Sequence, residues 1–204
     1  DDILNLGVGD ICHPLDKEVV SSAMQGLAEM GETPHGYSPP EGQLFLRKAI
    51  AEHEYGQFGI STDEIFISDG TKSDSAGLQE LFATDCRVGI TDPTYPTYVD
   101  VNLLQGRSIT YLPCTKENNF IPVPPDHPLD LIYLCTPNNP TGTCATHADL
   151  QRWVDYAKKH SAIILLDAAY VDFARPGMPK SIYEIPGAKQ VAIEMRTFSK
   201  SNGF

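Results

Sequence analysis

The chain has 204 residues, 27 of them acidic and 15 basic, for a net charge of −12 with histidine neutral. No basic block accompanies that excess, which argues against nucleic acid and anionic membrane as partners, because both need clustered Lys and Arg. The longest aliphatic run, Ala162 to Leu166, is too short to span a bilayer, and no export signal is read at the start.

Five cysteines (Cys12, Cys86, Cys114, Cys135 and Cys144) are odd in number and widely spaced. Free or buried thiols in a reducing cytosol are expected, with no disulfide framework and no metal site. No histidine is assigned a catalytic role. The length allows one large domain, or one domain with part of another. Asp1 is not an initiator methionine and Phe204 follows the last motif directly, so the sequence is expected to be a fragment.

Helical and strand patterns alternate along the chain, which predicts an α/β architecture with a mostly parallel sheet flanked by helices. Leu15 to Met30 places Val19, Val20, Ala23, Leu27 and Met30 close to one helical stripe. The turn-rich stretch 31–42, with His35-Gly36-Tyr37-Ser38-Pro39-Pro40-Glu41-Gly42, leads to a predicted helix from about Gln43 to Tyr55. Glu64 to Ser68 reads as a short strand, Asp69-Gly70 as a turn and Thr71 to Phe82 as a helix. Arg87 to Thr91 is the next strand, and a helix follows Asp92-Pro93-Thr94-Tyr95-Pro96 as far as Gln105. Ser108 to Leu112 and Leu129 to Cys135 read as strands. The loop between them holds Pro113, Pro122, Pro124, Pro125 and Pro128, which rules out an interior strand there. Thr146 caps a predicted helix ending near His160, and Ala162 to Leu166 and Gln190 to Met195 complete the strands.

Lys200 lies in Thr197-Phe198-Ser199-Lys200-Ser201-Asn202-Gly203-Phe204, a hydroxyl-rich turn after an apolar strand. A lysine alone is usually a solvated charge; here its amine can also condense with an aldehyde while nearby hydroxyls hold a phosphate. Ser68-Asp69-Gly70-Thr71-Lys72 opens a helix, where backbone N–H groups favour a phosphate and glycine allows close approach. An ordinary strand-to-helix turn has the same pattern. Gly7-Val8-Gly9 lacks the third glycine and the following helix of a dinucleotide loop and is not read as one.

Asp167 ends the apolar run Ile163-Ile164-Leu165-Leu166; its carboxylate either caps a helix or pairs with a protonated ring nitrogen. Tyr170, three residues on, either packs or donates to a ring oxygen. Asn138-Asn139-Pro140-Thr141-Gly142 and the turn containing Tyr95 have structural uses of their own. Asn139 can also donate its amide to a ring oxygen, and Tyr95 can stack on a flat heterocycle. Gly70, Tyr95, Asn139, Asp167, Tyr170 and Lys200 all fall just past predicted strand ends, the edge where open α/β sheets bind ligands. Together they supply what pyridoxal 5′-phosphate requires, so the chain is expected to be part of an enzyme that uses it.

The order Gly70-Thr71-Lys72, Asp92-Pro93-Thr94-Tyr95-Pro96, Asn138-Asn139-Pro140-Thr141-Gly142, Asp167-Ala168-Ala169-Tyr170 and Phe198-Ser199-Lys200 resembles the class I/II aminotransferases of fold type I over nearly the whole chain. Within that family it looks most like the LL-diaminopimelate subgroup. That likeness is carried by Asn5-Leu6-Gly7-Val8-Gly9-Asp10, Ile65-Phe66-Ile67-Ser68-Asp69-Gly70, Asp92-Pro93-Thr94-Tyr95-Pro96-Thr97-Tyr98-Val99-Asp100 and Ser181-Ile182-Tyr183-Glu184-Ile185-Pro186-Gly187.

The resemblance implies a three-layer αβα fold, here incomplete, with residues 1–30 starting a small domain and 31–204 forming part of the large cofactor-binding domain. It implies that Lys200 binds the cofactor aldehyde and moves the substrate Cα proton. Asp167 would pair with the ring nitrogen, Asn139 and Tyr170 with the ring oxygen, and Tyr95 would stack on the ring. Thr71, Lys72, Thr197 and Ser199 would surround the phosphate, and Tyr37 would reach the phosphate of a neighbouring subunit. Gly9, Tyr37, Lys72, Tyr95 and Asn139 would meet the substrate.

Thr197 stands where the family usually has serine, Thr71 where it has alanine, and Pro40 where the subgroup often has an acidic residue that reads the distal amino end of the substrate. The sequence stops before the family's Gly-x-Arg phosphate contact, so this stretch alone is expected to bind cofactor weakly and transaminate poorly. The implied partners are small amino and keto acids and a second copy of the chain, in a cytoplasmic homodimer with shared active sites. The implied reaction exchanges nitrogen between LL-diaminopimelate and 2-oxoglutarate on the route to lysine and cell wall. Alternatives are another fold-type I aminotransferase, a carbon–sulfur lyase, or a cofactor-binding sensor module without catalysis.

Overall fold

A computed structural model describes all residues except 1, 2, 4–8, 10, 12, 33, 35 and 204. The chain divides into two compact units, residues 69–197 and residues 1–68 with 198–204. Among the described residues no helix is long and apolar enough to cross a membrane.

The 69–197 unit is built on five strands: β1 Val88–Asp92, β2 Ile109–Pro113, β3 Leu131–Cys135, β4 Ile163–Asp167 and β5 Ala192–Met195. They lie in the order β2-β1-β3-β4-β5, and every pairing is parallel. A parallel sheet is covered on both faces, which explains why β3 and β4 are apolar almost throughout instead of alternating. Val88, Ile90, Leu131, Tyr133, Leu165 and Met195 form one face. They pack against Leu78 and Phe82, at and beyond the end of α3 (Thr71–Leu78), and against Tyr98 and Val99 of α4 (Pro96–Leu104). The opposite face, with Ile132, Leu134, Ile164 and Leu166, takes Leu150, Trp153 and Val154 of α5 (His147–His160). The result is the expected three-layer αβα arrangement.

Local signals account for several element ends. Thr146 and Asp149 form a reciprocal capping box at the start of α5, and Ser161 stops it in a left-handed conformation at φ 55°. Pro96 opens α4 at its first turn, where its missing N–H costs nothing. Pro113 closes β2, an edge strand, as proline permits. The proline-rich loop beyond is pinned to α5, where Trp153 Nε1 donates to Pro122 O at 3.2 Å and Tyr156 Oη to His127 O at 2.6 Å.

The predicted helix 71–82 ends earlier as an α-helix, at Leu78, and tightens into a 3₁₀ turn at Gln79–Leu81. Arg107, 3% exposed, secures that end. Its Nε donates to Ala83 O, its Nη2 to Gln79 O and Phe82 O, and its Nη1 to the side chains of Gln79 and Asn102. A cation at a helix C-terminus also opposes the negative end of the helix dipole.

In the other unit, α1 Lys17–Met30 is capped by Asp16 and buries none of its residues; of the predicted stripe Val20, Leu27 and Met30 are exposed and Val19 is half-buried. The predicted helix 43–55 is α2 Leu44–Ile50, continued by a π-turn at Ala51–Tyr55. The strand expected at Glu64 to Ser68 does not form. Its alternation is present, with Ile65 buried and Phe66 exposed, but among the described residues no strand pairs with it. Ile67 N–H instead reaches Glu41 O at 3.0 Å, beside Gly42 at φ +93°, where any Cβ would lie 2.5 Å from Ile67 Cβ. A four-residue helix α6, Phe198–Ser201, closes the chain.

Arg107→Met removes the donor to Phe82 O and to the buried side-chain oxygens of Gln79 and Asn102, and one of the two donors to Gln79 O and Ala83 O. Urea unfolding is expected to show a loss on the order of 3 kcal/mol, set by unsatisfied buried polar groups.

Candidate active site

Parallel strands all end at one edge, and the loops that leave it converge there. β1 ends at Asp92, β3 at Cys135, β4 at Asp167 and β5 at Met195, with Asp167 in register between Cys135 and Met195. Tyr95, Asn139, Tyr170 and Thr197 each emerge within four residues of one of these ends. The structure therefore gathers Tyr95, Asn139, Asp167, Tyr170 and Thr197 at a single edge of the sheet.

Strand parity puts Asp167 on the face that carries Leu165, so its side chain turns toward α4. It is 6% exposed. Oδ2 accepts the Tyr98 hydroxyl at 2.5 Å and Oδ1 accepts the Ala169 N–H at 2.9 Å. A buried carboxylate needs such donors to remain charged. Tyr98 stacks on Tyr133, centroids 5.0 Å apart, and meets Tyr95 edge-on at 5.6 Å.

The acids around Asp167 are held protonated. Burial pushes the Tyr98 phenol up, and the charges of Cys135 and Asp167 add to that. The Cys135 thiol is also raised, by burial first and then by the Asp167 charge, with the Asn139 backbone N–H acting the other way. Its Sγ donates to Pro137 O at 3.2 Å. The Tyr170 phenol is raised by burial, then by Cys135, Asp167 and Tyr95.

The Asn138–Gly142 turn closes through Gly142 N–H to Asn138 O at 2.7 Å and Asn138 Nδ2 to Thr141 Oγ1 at 2.9 Å. Asn138 Oδ1 is buried with no hydrogen-bond partner among the described residues. Gly70 precedes α3 at φ +125°, and a Cβ there would stand 3.8 Å from Thr197 Oγ1. The first turn of α3, with half-buried Thr71 and exposed Lys72, thus opens beside the Thr197 hydroxyl.

Ser199 and Lys200 belong to α6 in the other unit, two and three residues along the chain from Thr197. There Lys200 Nζ donates to Gly9 O at 3.0 Å, which brings two of the expected residues together across the sequence. Tyr37, in the same unit, is fully exposed. The rest of the Asn5–Asp10 motif, with Cys12 and His35, lies outside the described residues. Sequence reasoning assigned no role to Tyr98, Cys135 or Asn138. The available signal for Tyr98 was its place three residues after Tyr95 in the first turn of a helix, facing the strand ends.

The chain matches the family described as aminotransferase class I and II over residues 1–204. It is 49% identical to an LL-diaminopimelate aminotransferase of Desulforapulum autotrophicum over 100% of this chain and 53% of that protein. It is 47% identical to one of Lachnospira eligens, over 100% of this chain and 54% of that protein. The solved L,L-diaminopimelate aminotransferase of Chlamydomonas reinhardtii superposes with a TM-score of 0.88 at 42% identity, covering 100% of this chain and 54% of that one. The chain spans about half the length of the curated relatives it matches.

The fold is that of a fold-type I transferase. The chain belongs to the aminotransferase class I and II family. That family works with pyridoxal 5′-phosphate, and the residues present fit the group. A buried, doubly hydrogen-bonded carboxylate suits a protonated ring nitrogen, and an opened helix N-terminus beside a threonine hydroxyl suits a phosphate.

Asp167→Asn removes a charge that helps keep the Cys135 thiol protonated. At a fixed, mildly alkaline pH the thiolate fraction should rise, so alkylation of Cys135 by iodoacetamide, followed by mass spectrometry, is expected to speed up. An unchanged rate would mean that the two side chains do not sense each other.

Proposed function

We propose that the protein is an aminotransferase that exchanges nitrogen between LL-diaminopimelate and 2-oxoglutarate, serving lysine and peptidoglycan synthesis. The observation that carries this reading is the buried Asp167 carboxylate at the sheet edge from which Tyr95, Asn139, Tyr170 and Thr197 also emerge. The substrate assignment draws on relatives of that name at 47–49% identity across the whole chain.

Bound pyridoxal phosphate supplies an aldehyde for the amino group and a ring that spreads the charge left at Cα. Asp167 holds the ring nitrogen and its proton. Asn139 and Tyr170 donate to the ring oxygen, and Tyr95 covers the ring. Thr71, Lys72, Thr197 and Ser199, with the first N–H groups of α3, take the phosphate. Lys200 would hold the aldehyde carbon through Nζ, and the same amine, when free, would take the substrate Cα proton. Gly9, Tyr37, Lys72, Tyr95 and Asn139 contact the substrate.

In this reading residues 1–30 begin the small domain and residues 31–204 supply part of the large domain. The enzyme works as a cytoplasmic homodimer, and exposed Tyr37 reaches the phosphate site of the second subunit.

Incubation of the whole protein with LL-diaminopimelate and 2-oxoglutarate is expected to yield glutamate; no glutamate would reject the reading. Keto acid appearing with ammonia and without an acceptor would make it a lyase instead. Lys200→Ala is expected to lower kcat on the order of 10³-fold or more and to abolish borohydride trapping of the cofactor.

A further inference from the structure

We propose that Tyr98 is a positioning residue: its hydroxyl, bonded to Asp167 Oδ2 at 2.5 Å, keeps that carboxylate ionised and aimed, and so keeps a proton on the nitrogen of the bound ring. The proposal rests on the function given above and adds a residue to its site.

Tyr98 is 1% exposed, and its ring is fixed by stacking on Tyr133, 25° from parallel, and by the edge contact with Tyr95. Cys135 and Tyr133 of β3 and Asp167 of β4 face it from the sheet, and Tyr170 shares the electrostatic surroundings of Asp167, Cys135 and Tyr95. Burial holds the phenol protonated, so it remains a donor throughout turnover. A hydrogen bond given to the ionised form of a carboxyl group favours that form. Without it Asp167 becomes the stronger base, and the proton it shares with the ring nitrogen moves toward its own oxygen. Ala169 N–H still holds Oδ1, so the side chain stays in place while its basicity changes.

Tyr98→Phe in the whole protein keeps the ring stack and removes the hydroxyl. With carbon-13-labelled aspartate and no cofactor, the Asp167 carboxyl is expected to titrate at higher pH in the variant. With nitrogen-15-labelled pyridoxal phosphate bound, the ring-nitrogen resonance should move toward that of unprotonated pyridine. Turnover should follow, with kcat falling about tenfold and KM changing less than about twofold. If Tyr98→Phe does not fold, 3-fluorotyrosine at position 98 is a stronger donor of nearly the same shape, expected to move both resonances the other way. Resonances and titration that stay put in a folded variant overturn the proposal. Failure of the unaltered protein to bind pyridoxal phosphate overturns the proposed function instead, and the aspartate titration still decides whether Tyr98 tunes Asp167.

Discussion

A carboxylate taken out of water at the end of a parallel strand is costly unless donors meet both of its oxygens. At Asp167 one donor is local, the Ala169 N–H two residues on, and the other comes from Tyr98, 69 residues earlier in the chain. The second bond ties the site to the sheet. It needs β1 to deliver the chain into α4, and β3 to stand between β1 and β4 with Tyr133 under the Tyr98 ring. Sheet order, register and the placement of one helix thus converge on a single oxygen atom.

The opposite end of α3 shows the same dependence. Its N-terminus opens beside Thr197, whereas the carbonyls of Gln79 and Phe82, just past its end, are held by Arg107, which lies past α4. Arg107 also grips Asn102 of α4, whose Nδ2 bonds Tyr98 O at 2.8 Å. One buried guanidinium therefore braces both the helix that opens beside Thr197 and the helix that carries the donor to Asp167. Changes remote from the sheet edge can act through that brace on the geometry of the site.

The sequence exposes much of this and hides the rest for identifiable reasons. Asp167, Tyr95 and Asn139 were legible because each ends or follows a buried apolar run, a pattern contained in a few residues. Tyr98 was not, since a tyrosine in a helix looks like core until its hydroxyl is seen to meet a carboxylate. The misread strand at Glu64 to Ser68 is a similar case. Alternation is a local property and was present, but a strand exists only with a ladder, and its neighbour here is the turn at Glu41 and Gly42. The contact between Lys200 and Gly9 spans 191 positions, beyond anything periodicity reports, and both residues had been picked out by motif alone.

The charges near the sheet edge have a further logic. Tyr98, Cys135 and Tyr170 are all acids, and all three are shifted toward their neutral forms, by burial first and by Asp167 in part. A second anion beside Asp167 would add repulsion in a medium that screens poorly, so the neighbours stay protonated and present dipoles instead. The surroundings therefore concentrate one negative charge on one carboxylate. Such a site favours a ligand that brings a single positive charge on a flat ring, because aromatic faces accompany the anion. The same neutrality explains how the Tyr98 hydroxyl can sit against a buried carboxylate without unfolding the edge of the sheet: it is a donor and does not have to be charged.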